Sequence, residues 1–69
     1  MTKQEIDNLF TYHAPKGDQT DRYQEIRLSG RALAEAILRY TPASADQTAA
    51  IRKVREAVFT ANAAIACNE

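Results

Sequence analysis

Apolar residues recur at alternating steps of three and four along two stretches of the chain. Between residues 19 and 40 the series runs Tyr23, Ile26, Gly30, Leu33, Ile37, Tyr40, and between 45 and 67 it runs Ile51, Val54, Val58, Ala61, Ile65. This stepping is the seam of a helix packed lengthwise on another. Asp18 or Thr20 can cap the first helix, and Thr41-Pro42 stops it, because the residue before proline avoids helical angles. Ser44 opens SADQ, a capping box with Gln47, and Asp46 in the first turn complements the helix dipole. Two helices of similar length joined by the short turn from Thr41 to Ala43 predict an antiparallel hairpin.

Ahead of the hairpin, Thr2 and Glu5 form another capping box, which predicts a short helix over residues 3–10 with Ile6, Leu9 and Phe10 on one side. Two turns are not stable alone, since helix nucleation is costly and few bonds offset it. This segment is therefore expected to lie on something larger. No strand-like alternation and no internal repeat opposes the helical pattern. The expectation is one all-α domain over residues 1–69: a helix at 3–10, a loop at 11–17, and helices at 19–40 and 45–67.

Several residues off the seam matter for function. Gly30 lies on the seam itself and costs about 1 kcal/mol against alanine in a helix interior, which points to close backbone or ligand approach. Arg27, Arg31, Ala34 and Leu38 form a second stripe on its shoulder. Arg31 can pair with Glu35 one turn on, whereas Arg27 has no acidic residue four positions away in either direction. On the last helix Phe59, Ala63 and Ala66 make a further apolar surface beside Arg55 and Asn62, a candidate interface.

Size changes the picture. A 69-residue chain builds a core that rarely supplies more than about 3 to 5 kcal/mol, so small domains need a staple. The single cysteine, Cys67, excludes a disulfide within the chain, and His13 with Cys67 falls short of the four ligands of a structural zinc site. Cys67 reads as a small buried or interface residue. Self-association remains, and a homo-oligomer is expected. Nine basic residues balance nine acidic ones, so no strong field attracts long nucleic acid or an acidic membrane. Neither a signal-peptide run nor a span of roughly 20 apolar residues occurs, and the chain is expected in the cytoplasm. No nucleophile with its base, carboxylate pair or metal cluster stands out, and neither GxGxxG nor GxxxxGK is present. Neither catalysis nor a cofactor is expected.

The stretch Phe10 to Gly17, FTYHAPKG, concentrates the remaining chemistry between two helical patterns. A phenol, an imidazole and an ammonium group close together suit a planar, anionic ligand, and loops on rigid helices commonly carry function. The same residues also suit packing, with Phe10 and Tyr12 closing the end of a bundle and Pro15 and Gly17 shaping the turn.

Together with RYQEIR at 22–27 and KVREAVFTANAAIA at 53–66, this stretch resembles the small phage proteins that counter CBASS immunity by sequestering cyclic oligonucleotides. The likeness covers nearly the whole chain, with the blocks in the family's order. It implies an all-helical protomer assembled into a compact hexamer. It also implies binding of cyclic dinucleotides, and in some members of cyclic trinucleotides at a separate site, without cleavage. The family's base-stacking tyrosine falls on Tyr12. Its phosphate-binding cation falls on Arg27, where arginine replaces a lysine and adds a planar fork. His13, Lys16 and Arg31 are secondary ligand-binding candidates by proximity. Family members often carry an arginine after the ANAAIA run where this chain has Cys67, so a trinucleotide site using that cation lacks it. The alternative function is a helical interaction or assembly module that uses the Phe59 stripe and takes no nucleotide.

Overall fold

The computed structural model describes residues 1–69. It contains three helices and no strand: α1 over Lys3–Phe10, α2 over Gln19–Tyr40 and α3 over Ala45–Asn68. Helices α2 and α3 pack against each other along their length as an antiparallel hairpin. Tyr23, Ile26, Gly30 and Ile37 on α2, and Ile51, Val54, Val58, Ala61 and Ile65 on α3, are the half-covered positions of the seam. The three-four stepping therefore identified the packed faces.

Local chemistry accounts for the ends. Thr2 and Glu5 cap α1 reciprocally, each accepting from the other's backbone N–H. Ser44 Oγ accepts from Gln47 N at 3.1 Å, but the expected second half of that box does not form. The Gln47 amide instead donates to the carbonyls of Leu38 and Thr41, at 3.2 and 3.0 Å. It thereby satisfies acceptors that a helix C-terminus leaves open and ties the two ends of the turn together. Asp18 occupies the N-cap position of α2 without a capping bond from its side chain, because its carboxylate receives Arg22 Nε at 3.1 Å.

At Gly30 the two helices come into close contact. A Cβ there would collide with Val58 Cγ2, and the next nearest atom is Val54 Cγ1 at 3.7 Å. The other glycine, Gly17, turns the chain into α2 with a φ of 56°, a left-handed conformation that side chains with a Cβ rarely adopt.

The chain folds into a slab, 44 × 28 × 13 Å. Its thinnest dimension is about one helix diameter, so most side chains have a neighbour on one side only. Its radius of gyration is 15.0 Å, against about 11 Å for a globular chain of this length. No hydrophobic residue is fully buried. Tyr40, assigned to the seam by its spacing, is 75 % exposed at the hairpin tip, under the Arg39 guanidinium at 5.3 Å. Leu33 is also half-exposed, on the lip of an apolar groove between the helices that Ile26, Gly30, Val54 and Val58 help to line. On α1, Ile6 and Leu9 are about half-exposed and Phe10 is largely uncovered. The short helix is fastened through polar bonds, with Asn8 Nδ2 donating to Cys67 O at 2.9 Å.

Candidate functional site

The loop between α1 and α2 is built on the last turn of α3. On its leading side, Asn8 bonds Cys67 O, and Asn8 O lies 2.8 Å from His13 Nε2. On its trailing side, Lys16 N donates to Gln19 Oε1 at 3.1 Å, and Lys16 Nζ donates to Glu69 O at 3.0 Å. Gln19 is the one buried residue of the chain. Its amide also donates to Glu69 Oε1 at 3.3 Å, so a single side chain joins the loop, the start of α2 and the end of α3. Arg22, one turn further, grips both carboxylate oxygens of Glu69 in a fork and also meets Asp18. Such two-pronged charge-assisted bonds fix orientation as well as adding energy.

The Arg22 guanidinium, and after it the Gln19 amide, hold the Glu69 carboxyl at about 2, below its ordinary 4.5. Lys16 and Asp18 are the other charged groups of the cluster. A depressed acid stabilises the folded state above its ordinary titration range, and that contribution is lost as pH falls from about 4.5 towards about 2. A carbon-detected titration of the Glu69 carboxyl is expected to show it still ionised at pH 3.5. A midpoint near 4.5 would mean that the clasp does not hold in solution.

Out of this polar base Tyr12 projects into solvent. The residue is 83 % exposed and its hydroxyl takes no bond within the chain. Arg27 lies on the exposed part of α2 and likewise has no hydrogen bond or ion pair. The cations on either side of it are engaged: Arg22 with Glu69 and Asp18, and Arg31 with Glu35 at 2.9 Å. Of the nominated residues, His13 and Lys16 are drawn into the loop base and Arg31 into its helical pair, while Tyr12 and Arg27 stay open. No bond links Tyr12 to Arg27 within the chain, and neither lines the groove between α2 and α3.

Reading the sequence alone missed Asn8, Gln19, Arg22 and Glu69 as the supports of this loop. The Asp18–Arg22 spacing was a visible signal for one contact. The bonds to Glu69 join residues about 50 positions apart and leave no periodic trace. Cys67, foreseen as a small packed residue, is half-buried with Sγ 4.0 Å from Asn8 O, beneath α1. No group of three or more His, Cys, Asp or Glu side chains is positioned to hold a metal ion. No helix is long and apolar enough to cross a membrane.

Fold and loop together define a small helical-hairpin protein with an open aromatic ring on a polar base and an open guanidinium on α2. Residues 2–66 match the family model described as Acb2/Tad1, hairpin domain. The chain belongs to that family of anti-CBASS and anti-Thoeris nucleotide sponges, whose members bind cyclic nucleotides without catalysis. No curated protein and no solved structure matches it.

Proposed function

We propose that this protein sequesters cyclic dinucleotide second messengers in the cytoplasm of a phage-infected host, without cleaving them, as a homo-oligomer that on the family pattern is a hexamer. The family match over residues 2–66 carries the reading. Within the site, Tyr12 stacks a purine and Arg27 binds phosphate. A base stacked on an aromatic ring contributes about 1 to 3 kcal/mol, and a charge-assisted hydrogen bond about 1.5 to 3 kcal/mol. His13, Lys16 and Arg31 frame the pocket rather than supply its main contacts, since their polar ends already have partners. With Cys67 turned beneath α1 in place of a cation, cyclic trinucleotides bind more weakly than dinucleotides. Calorimetric titration with a panel of cyclic di- and trinucleotides tests this reading, and a panel without binding would favour an interaction module.

Surface area supports the assembly. The protomer exposes 5602 Å², whereas a folded monomer of 7.7 kDa exposes about 4,300 Å². The excess, about 1,300 Å², exceeds the roughly 800 Å² per partner of a standard protein interface. Ile6, Leu9, Phe10, Leu28, Leu33 and Phe59 supply much of the uncovered apolar surface. On the Phe59 face Ala63 is exposed, and Ala63→Arg is expected to lower the mass seen by light scattering at micromolar concentration, because a desolvated charge without a partner is costly. An unchanged mass would remove this face from the interface.

A further inference from the structure

The geometry points to Gln19, Arg22 and Glu69 as positioning residues for the ligand site: a polar clasp that holds the Tyr12 loop in its binding-competent shape from the end of α3. The inference rests on the reading of Tyr12 as the stacking residue. It deepens that reading, because none of the three clasp residues need touch ligand.

Three observations carry it. First, in a protomer with no buried hydrophobic residue, the single buried side chain is polar, and it lies here. Gln19 uses its carbonyl oxygen for Lys16 N and its amide nitrogen for Glu69 Oε1. A buried amide with both ends satisfied specifies one arrangement, since any other leaves a polar group unpaired. Second, the loop is anchored on both flanks to the same short segment, through Asn8 to Cys67 O and through Lys16 to Glu69 O. Third, Arg22 fixes that segment in turn by a fork onto Glu69. Tyr12 lies between the anchors with its own ring free, so hydrophobic packing within the protomer does little to hold it. Without the clasp the loop would sample many shapes, and apparent affinity falls in proportion to the fraction in the competent one.

The test uses the full chain and 3′,3′-cyclic GMP–AMP as the probe. In Arg22→Met and, independently, Gln19→Leu, amide hydrogen exchange is expected to accelerate at residues 16 and 19, whose N–H groups are bonded at the end of the loop, while the middle of α2 and α3 stays protected. Affinity is expected to fall about threefold to tenfold, as it would if the competent fraction dropped to between a third and a tenth. Arg22→Lys keeps a charge beside Glu69 without the fork and is expected to recover part of both effects, whereas a general loss of stability would accelerate exchange in the middle of α2 and α3 as well. Unchanged exchange in the loop of both variants would overturn the clasp. Accelerated exchange with wild-type affinity would overturn its role in positioning. Should Arg22→Met not fold, Gln19→Leu and Glu69→Gln carry the same readouts. Wild-type affinity in Tyr12→Ala, by contrast, would count against the stacking assignment and leave the exchange result to judge the clasp by itself.

Discussion

Alanine at either Tyr12 or Arg27 is expected to weaken cyclic dinucleotide binding by about tenfold to a hundredfold, since each substitution removes roughly 1.4 to 3 kcal/mol and each 1.4 kcal/mol is a decade. Neither side chain has a hydrogen bond to lose within the protomer. Folding is therefore expected to survive and the loss to appear in affinity, with light scattering to check that the mass of each variant is that of the parent. Lys53→Ala, on the rim of the α2–α3 groove, serves as a control expected to leave affinity nearly unchanged. Should Tyr12→Ala and Arg27→Ala both bind as tightly as the parent while folded and oligomeric, the assigned site is wrong.

The second large effect concerns the hairpin. Gly30→Leu places a side chain where even a Cβ meets Val58 Cγ2, and overpacking of this kind costs about 1 to 3 kcal/mol. For a domain of this size that is a fall in melting temperature of about 4 to 8 °C per kcal/mol. Valine in a helix has one strongly preferred rotamer, so Val58 cannot simply swing aside. Gly30→Ala gives a sharper form of the same test. Alanine is favoured over glycine in a helix by about 1 kcal/mol, and in the parent the collision offsets this gain. In a Val58→Ala background the obstructing methyl is gone and Val54 Cγ1, at 3.7 Å, is in ordinary contact. There Gly30→Ala is expected to raise the melting temperature. The same sign of effect in both backgrounds would contradict the close approach at Gly30.

The hairpin was legible because helical packing writes itself into a three-four period, and because Thr41-Pro42 and Ser44 mark the turn chemically. The close approach at Gly30 was legible because glycine in a helix interior has a cost that needs a reason. Arg31 was correctly assigned to Glu35 from its spacing. What periodicity could not supply was any link between distant segments. The bonds of Gln19, Arg22 and Lys16 to Glu69, and of Asn8 to Cys67, follow from how α1 and its loop lie across the end of α3. Gln47 shows the limit at short range, since a capping box and a clamp across the turn use the same residue and only the fold decides between them. The apolar side of α1 and the Phe59 face were visible as stripes, but a stripe does not name what covers it.

Sequestration without cleavage is tested most directly by saturating the protein with 3′,3′-cyclic GMP–AMP, incubating, denaturing the complex and running the released nucleotide on a chromatographic column. The account predicts that the protein takes up the nucleotide in fixed stoichiometry and returns it intact at every time point. Linear product accumulating with time, or no nucleotide retained at all, would contradict it.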